Sequence, residues 1–395
     1  MGSAKWHWQK LLRDWKTRII LVAFFLFFSS FSLFYRQQKL DLPLDQVREQ
    51  YRITQQLFHI IPETHFEGEL GEEVYDLLAQ QQRLYGMQRY ILSEKEGNTV
   101  EAMVSVVDNY LDNGRIIAEN QLLLWEMTDF SSYTLLTSVL PDHETLQQDL
   151  AFYQYLNDHQ LNIEWNPYSA SQVFYQQVEL IVGVVLFLFA SLLAADRFTQ
   201  DQKKNWSVTQ GIPISWKKQW HQRSMQLWLL MWSVTVLGMG ISYAISLWRE
   251  TAGSLWYPVA VYNGAGIEYV ATWQYILLLV GLGMLLSYVI LLLATGLSWI
   301  IRNIYLTIGL VVGVYFIPSI WQLVEPFSSW QPSLYLQIVP VVRGTSAEQF
   351  GLASITSWKM MLLLIVYLLI LEGIFTAVFN FIPTKTMGLK RRRAS

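Results

Sequence analysis

The sequence predicts an all-α polytopic membrane protein: six transmembrane helices, a short amphipathic helix before the first, and a mostly helical extracytoplasmic domain between the first two. Three observations predict it. Six apolar runs, at 19–35, 178–195, 225–247, 274–301, 304–324 and 358–382, approach or exceed the roughly 20 residues that a helix needs to cross a hydrocarbon core about 30 Å thick. Lipid offers no water to backbone N–H and C=O groups, so each run is expected to be helical. Basic residues also concentrate in alternate connections. Placing both termini in the cytoplasm puts 17 of the 28 Lys and Arg inside with only three acids, Asp14, Asp196 and Asp201, while 26 of the 31 acids fall outside. The reverse orientation would export every short basic loop, against the tendency of Lys and Arg to stay in the cytoplasm.

In residues 1–18, Trp8, Leu11, Leu12 and Trp15 recur at helical spacing while Lys10, Arg13, Asp14, Lys16 and Arg18 take the other positions. Such a helix is expected to lie along the inner membrane surface with its tryptophans at headgroup depth. The run 19–35 ends in Phe31-Ser32-Leu33-Phe34-Tyr35-Arg36, bulky where a cleavage site needs small residues, so it reads as a retained anchor. Residues 36–177 are long enough for a core of their own. Helices are expected from Leu44 to Ile61, through Val74, Leu77, Leu78, Leu84 and Ile91, from Val100 to Trp125 with an interruption at Asn113-Gly114, and through Leu146, Leu150, Tyr153 and Leu156. Pro141-Asp142 reads as a helix start and Asn166-Pro167-Tyr168-Ser169 as the hinge back to the membrane. The segment carries 22 acids against 8 basic residues. A solvated exported surface accounts for that excess, and the same field would attract cationic ligands.

The connection 196–223 is too long for a simple turn and is interrupted by Gly211-Ile212-Pro213-Ile214-Ser215, with Ser215 placed to cap a helix starting at Trp216. Its Trp206 and Trp216 suit either docking onto a cytosolic partner or interfacial anchoring of the third span. Arg302-Asn303 reads as a tight turn between two spans. The outer loops 248–273, with Trp256-Tyr257-Pro258 and Asn263-Gly264-Ala265-Gly266, and 325–357, with Pro326, Pro332 and Pro340, are expected to fold back as re-entrant or interfacial caps. The tail 384–395 carries Lys390-Arg391-Arg392-Arg393, which holds the last span inside and attracts anionic lipid.

No Gly-x-x-x-x-Gly-Lys-Ser/Thr loop, His-Glu-x-x-His or Gly-x-Ser-x-Gly element occurs, so neither nucleotide hydrolysis nor another catalytic activity is expected of this chain. The absence of Cys excludes disulfides, thiolate metal sites and a cysteine nucleophile, and the six histidines are dispersed, with no metal-ligand spacing. Nucleic-acid binding finds no support beyond the basic tail. Two acids lie in or beside apolar runs: Glu179, expected to reach headgroups, and Glu372, near the middle of the last span, where a charge needs a partner or a watery cavity. Asn380, two turns further along, would extend a polar stripe from Glu372.

An amphipathic helix, a first span, a large outer insertion, a second span, a long cytoplasmic loop and four more spans together resemble the permease subunits of bacterial type-2 ABC exporters, over about 1–35 and 173–383. The resemblance implies that Lys5 to Arg18 form the family's elbow helix and that Asp196 to Arg223 carry its coupling helix. The family's acidic residue, Gly, Pro-Ser-like turn and basic residues correspond to Asp201, Gly211, Pro213, Ser215, Lys217 and Lys218, with Trp216 between them. The usual Glu-x-x-x-Gly-Thr-like opening is missing. The resemblance further implies a cytosolic ABC ATPase dimer that binds ATP and Mg, no cofactor in this chain, and a second identical or related permease in the bacterial cytoplasmic membrane. Two functions follow as expectations: a permease exporting an amphipathic peptide, lipid or drug-like molecule, or a non-transporting scaffold or sensor whose outer domain binds a ligand or wall enzyme.

Overall fold

The computed structural model describes residues 8–9, 11–34, 44–95, 104–164, 166–198, 216–317 and 328–381. In chain order its helices are α1 (Trp15–Ser29), α2 (Phe31–Phe34), α3 (Leu44–Ile60), α4 (Glu69–Lys95), α5 (Val104–Glu126), α6 (Tyr133–Val139), α7 (His143–Asp158), α8 (Ala170–Leu180), α9 (Leu186–Ala194), α10 (Trp216–Arg249), α11 (Thr272–Ile301), α12 (Ile304–Tyr315), α13 (Ile338–Arg343), α14 (Thr345–Phe350) and α15 (Ser357–Phe381). Strands β1 (Pro258–Tyr262) and β2 (Ile267–Ala271) precede α11. The chain divides into a unit of Met1–Phe34, Gln176–Ala244 and Ile276–Ser395, and a unit of Tyr35–Tyr175 and Ile245–Tyr275.

Among the described residues, four stretches are long and apolar enough to cross a membrane: Ala170–Ala194, Lys217–Arg249, Thr272–Ile301 and Ser357–Phe379. The protein is therefore a helical membrane protein. The apolar α1 stops at Ser29, and Ser30 turns the chain into α2. α12 is a shorter apolar helix, entered through Arg302 in the left-handed region (φ 58°) and capped by Asn303, whose Oδ1 accepts from the N–H groups of Tyr305 (3.0 Å) and Leu306 (3.4 Å). That cap satisfies two of the donors that every helix start leaves open. Between α8 and α9 a π-turn at Ile181–Val185 carries Gly183 with ψ −141°, a local break of the kind that kinks long helices. Close packing uses small residues: a Cβ on Gly238 of α10 would collide with Phe28 of α1, and one on Gly296 of α11 with the ring of Phe375 on α15.

Where the sequence reads a loop to 223 and a span from 225, α10 runs unbroken through 34 residues, about 51 Å at about 1.5 Å per residue. It exceeds the hydrocarbon thickness, and its first two turns carry Lys217, Lys218, His221 and Arg223. Glu179 takes a two-pronged ion pair from Arg343 of α13, with Nε at 3.0 Å from Oε1 and Nη2 at 2.9 Å from Oε2.

The second unit is built on α3, α4, α5 and α7, with two apolar clusters. Leu57, Ile61, Val74, Leu78, Leu124, Phe130 and Leu136 form one, and Val47, Leu84, Tyr85, Ile91, Leu92, Tyr110 and Ile117 the other. Asp142 caps α7, its carboxylate accepting from the Thr145 N–H (3.2 Å) and hydroxyl (2.6 Å), and these bonds hold its pKa below the ordinary value. The expected interruption at Asn113-Gly114 does not occur. α5 continues through it, and Gly114 is explained by space, because any Cβ there would overlap the Tyr153 ring of α7. The loop expected to fold back as a re-entrant or interfacial cap contains the antiparallel hairpin β1–β2, with Ala260 opposite Tyr269 and the turn at Asn263-Gly264 closed by Asn263 Oδ1 accepting from Ala265 and Gly266. A polar knot holds the base of this hairpin. Glu164 accepts from the Ser254 N–H, from the hydroxyls of Ser171 (3.1 Å) and Ser169 (3.3 Å), and from Gln172 Nε2 (3.4 Å). Glu164→Ala strands these donors and is expected to cost about 1–3 kcal/mol. Amide hydrogen exchange at Ser254 accelerates if the knot is structural; unchanged exchange there argues against it.

Candidate functional site

The membrane unit gathers its charged side chains at the two ends of the connection between α9 and α10. Asp201, Gly211, Pro213 and Ser215, the core of the expected coupling segment, lie outside the described residues. The chain leaving α9 and the chain starting α10 are both described, and each is tied to several helices.

On the leaving side, Asp196 and Arg197 directly follow the apolar α9. Asp196 is 2% exposed and pairs with Lys16 at the start of α1 (3.1 Å). Arg197 donates to the Thr17 hydroxyl (2.6 Å) and to the Leu193 carbonyl (2.9 Å) and lies 3.7 Å from Asp14, whose carboxylate in turn accepts from Thr17 (2.7 Å). Asp14 is extended (φ −69°, ψ 117°) and begins α1. It separates Leu11, which is buried, from Trp15, which is exposed like Leu12; Trp8 is half-buried. The apolar stripe expected over 1–18 is thus divided between α1 and the residues before Asp14. Phe198, fully buried, donates its N–H to Ser298 Oγ of α11 (3.3 Å).

On the returning side, Arg223 closes the circuit. Its Nη1 donates to the Arg197 carbonyl (2.8 Å), and its guanidinium stacks 4.3 Å from the Phe198 ring centre. One turn earlier, Lys217 Nζ lies 3.0 Å and His221 Nε2 3.5 Å from Glu372 Oε1 of α15. The acid singled out in the last span therefore has a partner, and the partner is Lys217 of the expected coupling segment. Trp216 starts α10, and Lys218 is exposed on its next turn. Asn380 continues the backbone of α15, and its side chain lies outside the described residues. Beneath the charges sits an aromatic floor of Phe198, Trp220, Trp299, Phe375 and Phe379, with Trp220 5.1 Å from Phe375 and 5.7 Å from Phe379.

A third element was not anticipated. Three tryptophans of α10 donate their indole N–H groups to α11: Trp220 to the Leu292 carbonyl (3.0 Å), Trp228 to the Met284 carbonyl (3.0 Å) and Trp232 to Ser287 Oγ (2.9 Å). Ser224 and Thr295 add a hydroxyl pair at 2.8 Å. Spacings of eight and four residues put these indoles on one helical face, a signal visible in the sequence once α10 is known to continue upstream of 225. Polar ties between apolar helices have no competing water and so define their register.

Taken together, the two ends of the 199–215 connection are joined to each other and to α1, α11 and α15. Displacing that connection would act on all these helices at once. Among the described residues, no three His, Asp or Glu side chains come together as a metal site. Compared with known family models, curated proteins and solved structures, the chain matches none of them.

Proposed function

We propose that this protein is the membrane-spanning permease subunit of an ATP-driven exporter in a bacterial cytoplasmic membrane, powered by a separate ABC ATPase dimer and working with a second permease copy. The observation that carries the reading is the double anchorage of the 199–215 connection. A force applied there reaches α1 through Asp196 and Arg197, α11 through Phe198 and the α10 tryptophans, and α15 through Lys217 and Glu372. In this reading the chain crosses the membrane six times, counting the run 19–35 and the run 304–324 with the four long apolar helices. Both termini are cytoplasmic, residues before Asp14 serve as the elbow, and the Tyr35–Tyr175 segment faces outward. The cargo class is an amphipathic peptide, lipid or drug-like molecule, in keeping with spans that carry few charges.

The variants that address the partner contact are Lys218→Glu and Pro213→Gly. Gentle purification of the wild type from native membranes should bring down a soluble ATPase with a phosphate loop in stoichiometric amount, and Lys218→Glu with Pro213→Gly should reduce its recovery tenfold or more. A reproducible absence of ATPase, with a wall enzyme or sensor kinase in its place, would replace the exporter by the scaffold reading.

A further inference from the structure

The inserted unit carries a half-buried aromatic cluster that neither the apolar clusters nor the Glu164 knot explains. Asp149, Phe152 and Tyr153 occupy positions i, i+3 and i+4 of α7, and so one face of the helix. Phe152 meets the hairpin, with its ring centre 5.5 Å from Tyr269, 6.1 Å from Tyr257 and 5.6 Å from Tyr153. Gly114 of α5 leaves the space that Tyr153 fills. Four aromatic rings from α7 and the hairpin thus stand together beside a single carboxylate.

Asp149 keeps solvent access, and desolvation by the surrounding atoms pushes its pKa above the ordinary value. Among the described residues no cation and no hydrogen-bond donor engages it; its one charged neighbour is Asp142, of the same sign. Its charge is felt at the hydroxyls of Tyr85, Tyr153 and Tyr269, and desolvation and that charge raise all three, Tyr85 and Tyr269 to about 12, so the tyrosines stay neutral. Neutral aromatic rings present negative faces, and a carboxylate lacking its counter-ion adds to them. An alkylated cation meets both requirements, since its methyl or methylene groups pack on the rings while its charge faces the acid. The surrounding excess of 22 acids over 8 basic residues in 36–177 raises the local concentration of such a cation.

We propose that the half-buried aromatic cluster of α7 and the β1–β2 hairpin binds a substituted ammonium group, with Asp149 as counter-ion and Phe152, Tyr153, Tyr257 and Tyr269 as the aromatic surface. The group could come from a small quaternary amine or from a lysine side chain of a peptide, and the experiment separates these sources. The proposal stands whether the protein exports or senses.

The test is calorimetric titration of the full-length protein in detergent micelles with choline, with N-acetyl-lysine amide, and with 3,3-dimethylbutan-1-ol, the uncharged isostere of choline. Saturable binding of at least one cation, at least tenfold tighter than the alcohol, is expected. Preference for choline identifies the quaternary source, and preference for the lysine amide the peptide source. Asp149→Asn, an exposed and nearly isosteric change, should weaken binding tenfold or more; Tyr269→Leu should do likewise, while Tyr269→Phe retains it. Absence of saturable binding, equal affinity for the neutral isostere, or undiminished binding by Asp149→Asn overturns the proposal, and Asp149→Asn alone decides if Tyr269→Leu fails to fold.

Discussion

Arg197→Ala is expected to remove about 3–5 kcal/mol of stability from the membrane unit, the loss typical of deleting one member of a buried ion network. The side chain of Arg197 is 12% exposed and that of Asp196 3%. Arg197 ties Asp14, Thr17 and the end of α9 together, and its carbonyl takes the Arg223 bond. Without the guanidinium, Asp14 and Asp196 lose a shared cation, and the chain leaving α9 loses one of its ties to α1. Reversible unfolding in mixed micelles measures the loss. Arg197→Lys should fall in between, because it keeps the charge and gives up the fork that reaches two partners at once. Asp196→Asn combined with Arg197→Ala should cost less than the sum of the two single changes, since both act on one network. A loss below about 1 kcal/mol, the range of exposed surface pairs, would mean that water reaches these groups and that the junction is no rigid transmitter.

Gly296→Val is the second large effect. A Cβ at 296 would collide with the Phe375 ring, which is itself buried against Trp220 and Phe379. Overpacking of this kind costs about 1–3 kcal/mol, and here it also parts α11 from α15. Under the exporter reading, transport by the reconstituted complex should fall with it, since α15 carries Glu372, the contact point of Lys217. Phe375→Ala alone opens a cavity, at a cost of about 3–5 kcal/mol. If steric conflict is the cause, the Gly296→Val, Phe375→Ala pair should be more stable than the sum of the single effects predicts. Strict additivity would point to backbone entropy instead of the close approach.

These expectations rest on features of different visibility. Helix α7 was legible to its cap, because Pro141-Asp142 is a local signal and Asp142 needs only Thr145 to satisfy it. The long apolar stretches were legible because the hydrophobic requirement of a bilayer is a property of composition along a single helix. Gly114 was read as a break because a glycine in isolation signals freedom, whereas its reason is Tyr153, distant in sequence and on another helix. The hairpin was missed because Pro258–Tyr262 and Ile267–Ala271 are short, and their pairing rests on a two-sided match of register that no single window shows. Glu372 was recognised as expensive, which is a statement about one residue. That Lys217 compensates it is a statement about two, separated by the rest of α10 and by α11 to α14.

By itself, then, the sequence determined that the chain lives in a membrane, where its apolar helices and basic edges fall, and that a large acidic segment is inserted after the first apolar run. All of these follow from transfer free energies that are additive over neighbouring residues. The tertiary structure alone decided which charges meet, which glycines admit a neighbour's ring, and that the two ends of the 199–215 connection are tied to each other and to α1, α11 and α15. Such pairings depend on contacts between residues far apart in the chain, whose energies exist only once the backbone has brought them together.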